Sequence, residues 1–216
     1  MKYTVTIVRL LFLALFVFLI AQGKMMLWFG LFGISLLAAL IFGRIYCGYA
    51  CPMNTLMIPT DWIAKKLKIQ THKMPKWLGK GYFAWIALIV SVAAMLLSKR
   101  FLQINIPILL IWVALAVLVT LRYRPAVFHN LICPFSAPQK LFGRFARRSK
   151  TVNEFACTGC KLCERACPSD AIAVCPEDKK AHINITLCHQ CANCHQVCPE
   201  DAICYTQALH KEKSAV

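Results

Sequence analysis

Eight cysteines in the last third of the chain repeat one phrase twice: Cys157-x2-Cys160-x2-Cys163-x3-Cys167-Pro168 and Cys188-x2-Cys191-x2-Cys194-x3-Cys198-Pro199, each position displaced by 31 residues. A cuboidal 4Fe-4S cluster needs four thiolates converging on its iron corners, and a tight loop with cysteines at i, i+3 and i+6 supplies three. The fourth cysteine, followed by proline, turns away from its own loop and ligates the neighbouring cluster in two-cluster ferredoxins. The spacing therefore assigns Cys157, Cys160, Cys163 and Cys198 to one cluster, and Cys188, Cys191, Cys194 and Cys167 to the other. A pair of zinc sites is the alternative, but zinc sites rarely carry a Cys-x3-Cys-Pro tail. The chemistry is one-electron transfer.

A second and weaker repeat lies upstream: Arg44-Ile-Tyr-Cys47-Gly-Tyr-Ala-Cys51-Pro52 and His129-Asn-Leu-Ile-Cys133-Pro134. The first is Cys-x3-Cys-Pro, and the second keeps the frame with His129 in place of the first cysteine. Of thirteen cysteines, five lie outside the ferredoxin phrases, and three of these are Cys47, Cys51 and Cys133. Three thiolates and an imidazole suffice for a further iron-sulfur cluster or another soft-metal site. The competing reading is that Cys-Pro merely ends a helix and the thiols are inert. Met53 and Met57 beside Cys51 raise a Cu(I) reading, with packing as its rival. Cys175 and Cys204 read as apolar neighbours of the clusters. His189 and His195 read as hydrogen-bond donors or solvent-facing residues in the second cluster loop.

These residues need elements to hold them, and most of the chain is apolar. Hydrophobic residues make up 59% of the 216 positions, and the mean hydropathy is +0.58. Four blocks, Val5 to Ala21, Met25 to Gly43, Tyr82 to Leu97 and Ile104 to Leu121, approach the roughly 17 to 25 residues that cross a bilayer. The fold expected is a membrane all-α domain of four transmembrane helices in two hairpins, followed by an α+β two-cluster ferredoxin domain of two β-α-β halves. The expected boundaries are 1–124 for the helices, 125–150 for the second Cys-Pro segment and a basic linker, 151–208 for the ferredoxin and 209–216 for a tail.

Charge orients the helices. Residues 1–150 carry 19 Lys or Arg and one acid, Asp61, whereas 151–216 carry 6 basic and 8 acidic residues. Lys2, Arg9, the 44–81 segment and the segment after 122 hold most of the basic residues, and the opposite side has only Lys24, Lys99 and Arg100. The positive-inside rule then places both termini and the clusters on the cytoplasmic side of the inner membrane. The formal net charge of +16 is accordingly a topology and lipid signal, and no nucleic-acid motif accompanies it. Trp28, Trp62, Trp77 and Trp85 fit interfacial belts.

Four spans, a Cys-Pro phrase after each hairpin and a C-terminal two-cluster ferredoxin resemble the NapH-type polyferredoxin membrane proteins. These are quinol-oxidising membrane components of periplasmic nitrate reductase systems, with relatives in a nitrous-oxide reductase regulator and a cupric reductase. His129 departs from the family's second cysteine pair. The resemblance implies a quinol dehydrogenase-type oxidoreductase subunit that links the quinone pool to a protein redox partner, within a complex. Arg44, Tyr46, Tyr49, Arg122 and Tyr123 are candidate partners for the quinone oxygens. The alternatives are a cupric reductase or maturation factor working through Cys47, Cys51 and Cys133, and a non-enzymatic electron-transfer subunit. No histidine or acid falls within the predicted spans, which argues against a buried bis-histidine haem and against ion pumping. No Gly-rich dinucleotide motif is present.

Overall fold

A computed structural model describes residues 2–71, 81–103 and 107–208. Trp77, the start of the fourth apolar block at Ile104, the basic residues Lys73, Lys76 and Lys80, and the 209–216 tail lie outside the described residues. Helix α1 (Lys2–Ala21) and helix α2 (Met25–Phe42) form a hairpin. Gly23 closes α1 with φ of 68°, while its N–H reaches Ile20 O and that of Lys24 reaches Leu19 O. This paired bonding caps the last carbonyls, and glycine adopts the left-handed turn without a Cβ penalty.

The second hairpin joins α4 (Tyr82–Leu97) to α5 (Ile108–Arg122), with the Trp112 indole donating to Ser91 Oγ at 3.0 Å. Among the described residues, three helices are long and apolar enough to cross a membrane: Thr4–Ala21, Met25–Phe42 and Tyr82–Phe101. Only 17%, 11% and 17% of their residues are buried. Apolar faces left so open match lipid rather than water as solvent, and the chain is a membrane protein. Ile108–Arg122 is a shorter apolar helix.

Between the hairpins, the described part of the segment is largely helical. Helix α3 (Pro52–Lys66) packs along α1 and α5, burying Met53, Asn54, Met57, Thr60 and Ala64. Pro52 at its first turn suits a position whose N–H has no helical partner. After α5 come a single turn, α6 (Pro125–Val127), and α7 (Ser136–Gly143), which packs against α2. A core forms from Phe16, Trp28, Tyr46, Met53, Met57, Leu109 and Phe128 around Cys47, Cys51 and Cys133. Trp28 is therefore not a belt residue: it is 1% exposed and donates to Tyr46 Oη at 2.9 Å. Trp62 and Trp85 are exposed.

The C-terminal domain contains β1 (Arg148–Val152), α8 (Leu162–Ala166), β2 (Ile172–Val174), β3 (Ala181–Ile183), α9 (Asn193–Val197) and β4 (Ile203–Gln207). Strand β1 pairs antiparallel with β4, in register from Arg148 with Gln207 to Val152 with Ile203, and β2 pairs with β3. The first strand thus begins at Arg148, three residues before the expected boundary. Cys163, Cys167, Cys188 and Cys194 join Ala171, Ile172, Ala181 and Ile203 in a second core.

Candidate metal centres

Each ferredoxin phrase ends in cysteine followed by proline, and proline bars the preceding residue from the helical region. Cys167 has φ and ψ of −78° and 114°, and Cys198 of −79° and 116°, so each leaves a short helix in extended conformation. Both thiols then receive a main-chain donor four residues on: Ala171 N to Cys167 Sγ at 3.2 Å and Ala202 N to Cys198 Sγ at 3.4 Å. Gln190 N approaches Cys188 Sγ at 3.4 Å. Amide donors of this kind stabilise thiolate charge.

One cavity is lined by Cys157, Cys160, Cys163 and Cys198, with Val152, Val174 and Ile203 around them. In the other quartet, Cys188 feels the charge of Cys191, Cys194 and Cys167. Burial is the first cause raising Cys188, Cys191 and Cys194, the last up to about 12, and neighbouring thiolates add to it. These three stay protonated unless iron replaces the protons. Among the described residues, only Cys175, Asp178 and His182 bring three His, Cys or acidic donor atoms within 4.8 Å of one another. No three of the eight motif sulfurs are that close. Both quartets are all-thiolate sets, as 4Fe-4S ligation requires. All thirteen cysteines are free thiols.

The membrane half repeats this backbone design. Tyr46–Ala50 and Phe128–Ile132 are π-helical turns, closed by Cys51 N to Tyr46 O at 2.9 Å and Cys133 N to Phe128 O at 2.8 Å. Cys51 leaves its turn at −71°, 117° and Cys133 at −63°, 117°, matching the two ferredoxin Cys-Pro cysteines. Main-chain donors at Met53 and Asn54 serve Cys51, and those at Phe135 and Ser136 serve Cys133. The two phrases are related by an 82-residue displacement. Burial, then the charge of Cys47, raises Cys51 well above the usual thiol range and Cys133 up to about 12.

The ferredoxin domain sits on this pocket. Arg44, fully buried, donates to Ser136 Oγ at 2.8 Å, to Leu187 O at 3.2 Å and to Thr186 O at 3.4 Å, and its Nη2 lies 3.7 Å from Cys47 Sγ. Arg9 is also buried and donates to Gly48 O at 2.8 Å. Two charges counted toward topology are thus interior clamps. Asn130 Nδ2 donates to Ser169 O at 2.7 Å, Arg124 pairs with Asp170 at 2.8 Å, and Arg147 N reaches Leu40 O.

The five quinone candidates have separate surroundings. Arg44 is engaged as described, Tyr46 Oη accepts from Trp28, and Tyr49 Oη donates to Gln190 O at 3.4 Å. Arg122 donates to Ile69 O, and Tyr123 forms a bridge with Thr71 at the end of α5. His129 is 1% exposed, with Nε2 3.2 Å from Asn54 Oδ1. Burial pushes it down to about 3, with Arg44 and Lys140 adding to the shift, so the imidazole is neutral. His189 neither faces solvent nor donates a hydrogen bond: it is 1% exposed and both ring nitrogens lack a protein partner. Its interior position depends on what docks against the loop, and the sequence signal is a break in the 31-residue repeat, Thr158-Gly159 becoming His189-Gln190. His195 is half-buried. Cys204 is exposed on β4, and Cys175 lies in the β2–β3 turn with its sulfur near Asp178 and His182.

Residues 25–70 and 105–153 match the family described as "4Fe-4S binding domain", and 156–202 match "4Fe-4S dicluster domain". The chain is 27% identical over 158 residues to the ferredoxin-type protein NapH of Haemophilus influenzae, covering 66% of this chain and 54% of that one. It is 26% identical over 155 residues to the methylamine utilization ferredoxin-type protein MauN of Paracoccus denitrificans, covering 65% and 54%. The chain is a relative of the ferredoxin-type proteins NapH and MauN.

An uncharacterized protein of Methanocaldococcus jannaschii is 31% identical over 140 residues, 62% of this chain and 55% of its own. The chain spans about half the length of the curated relatives it matches. No solved structure matches it. The first family match covers both Cys-Pro phrases of the membrane half, Cys47 with Cys51 and then Cys133. The chain is a ferredoxin-type iron-sulfur electron-transfer protein of the membrane, related to NapH and MauN.

Proposed function

We propose that the protein carries electrons between the membrane quinone pool and a protein redox partner, as the membrane subunit of a larger complex. In this reading Cys157, Cys160, Cys163 and Cys198 hold one 4Fe-4S cluster, and Cys188, Cys191, Cys194 and Cys167 hold the other. Cys47, Cys51 and Cys133, with one imidazole, hold a third iron-sulfur site. When bound, such clusters supply one-electron carriage, at potentials set by hydrogen bonds to sulfur, charge and exposure. The residues around them provide those levers: amides at Ala171, Ala202 and Gln190 donate to sulfur, and Arg44 sets a positive charge beside Cys47.

The observation that carries the reading is the docking. The second cluster loop rests on the buried thiol pocket, which itself lies at the ends of the apolar helices. Both termini and the ferredoxin domain are taken as cytoplasmic, since Lys24, Lys99 and Arg100 are the charges at the far helix ends. Helix α5 is taken as a fourth, short span. Arg122 and Tyr123 at its end are the quinone partners this reading keeps.

The test is anaerobic protein in lipid nanodiscs, mixed with a reduced quinol analogue and followed by absorbance bleaching and EPR. Reduction of the clusters by quinol, or reoxidation of reduced clusters by quinone, is expected. Failure of both overturns the quinone link.

A further inference from the structure

The third site needs an imidazole beside its three thiols, and two lie close by. His129 occupies the repeat position of Cys47, yet its Nε2 is 3.2 Å from Asn54 Oδ1. His189 comes from the ferredoxin domain, between Cys188 and Gln190. Its ring meets that of His129 edge-on, with centroids 4.6 Å apart and an interplanar angle of 80°. Neither of its nitrogens has a protein partner, although the side chain is almost wholly buried. Buried polar groups are seldom left without a partner, and an ion or redox role is one of the things that explains an exception.

The backbone holds this ring in place from both sides. A Cβ at Gly48 would stand 2.3 Å from His189 O, so the His189 main chain is pressed onto the π-helical turn that carries Cys47. Arg44 ties the same place together, touching Cys47 Sγ with one nitrogen and donating to Leu187 O with the other.

We infer that His189 is the fourth ligand of the Cys47, Cys51 and Cys133 site, with His129 a positioning residue packed against its ring. The inference rests on the third iron-sulfur site proposed above and names the residue that completes it. Two adjacent residues, Cys188 and His189, would then serve two different centres, giving a covalent path of one peptide unit between them. The site would be complete only with the ferredoxin domain docked. Imidazole ligation would also raise its potential above that of an all-thiolate site.

The test uses the full chain, purified anaerobically with and without nitrogen-15 histidine, with iron and sulfide quantified and pulsed EPR run on partly reduced samples. Wild type is expected to hold about twelve irons, four per cluster, with histidine nitrogen coupling on one signal. His189→Gln should drop to about eight irons and lose the coupling, while the two ferredoxin signals persist. His129→Gln should keep both the iron and the coupling. His189→Cys should restore about twelve irons without nitrogen coupling, at a lower midpoint potential, which keeps the test decisive if the Gln variant does not fold. Nitrogen coupling that survives in His189→Gln or His189→Cys, or that disappears in His129→Gln, overturns the ligand assignment alone. About eight irons in wild type overturns the third site itself, and the assignment with it.

Discussion

The two cluster loops come from one repeated phrase and live in opposite surroundings. In the first, Cys160 is exposed and Cys157 half-buried; in the second, Cys188 and Cys191 are each 7% exposed. Both loops bend through the left-handed region at the same place, Gly159 with φ of 70° and Gln190 with φ of 56°. At Gly159 glycine is obligatory, because a Cβ would stand 2.1 Å from Lys179 O. At Gln190 a side chain is tolerated in a conformation that costs an L-residue about 1–2 kcal/mol. That side chain is used: Nε2 donates to Ser149 Oγ at 2.8 Å, and Oε1 accepts from Lys150 N at 3.0 Å. One loop keeps the minimal residue and faces solvent, while the other accepts strain so that its side chain clasps β1, with the Gln190 carbonyl accepting from Tyr49 of the membrane half. A symmetric pair of cluster sites is thereby given two unlike ends, one open to solvent and one docked against the membrane half.

The largest break in this asymmetry should come from Arg44→Ala. It removes a fully buried cation and leaves Leu187 O, Thr186 O and Ser136 Oγ without their donor. At about 1–3 kcal/mol for each orphaned group, docking of the second loop should fail. Hydrogen exchange should then rise at residues 186–191 and stay unchanged at 157–163; equal rises in both loops would show that the two ends are not independent.

Next in size is Gly48→Ala. Its Cβ meets His189 O, a backbone atom that cannot move aside, and overpacking of this kind costs about 1–3 kcal/mol. Quinol-driven reduction of the ferredoxin clusters should slow at least tenfold in nanodiscs, with iron at the ferredoxin sites retained. Gly159→Ala is the contrasting variant, losing about four irons from the first loop while the second stays docked. An unchanged quinol rate in Gly48→Ala would remove the second loop from the path.

What the sequence made legible follows from which interactions are local. Ligand spacing within a loop, lipid-length apolar runs and the restriction that proline places on Cys51, Cys133, Cys167 and Cys198 all act over a few residues, so they could be read directly. Helix α3 was hidden because its apolar face is interrupted by Asn54, Thr60 and Asp61, giving neither a lipid-length run nor a clean amphipathic pattern. Arg9, Arg44, Trp28 and His189 read as surface residues because their burial depends on a second body packing over them. Residue type alone says nothing of that body. The departure at His129 pointed to the right pocket, but the unpartnered imidazole belongs to a residue 60 positions later.

The smallest effect, and the finest probe of the clasp, is expected at Gln190. Gln190→Ala keeps the left-handed backbone and loses two side-chain hydrogen bonds, so it should cost about 1–3 kcal/mol. Gln190→Gly loses the same bonds but relieves about 1–2 kcal/mol of backbone strain, so it should lie near wild type. Apparent stability of the docked loop, read from exchange at residues 188–191, separates the two contributions. If glycine and alanine prove equally damaging, strain at Gln190 is absent and the clasp acts through its hydrogen bonds alone. If glycine exceeds wild type in stability, strain at Gln190 outweighs its two bonds to β1, and the asymmetry between the two ends lies in the side chain rather than in the repeated backbone.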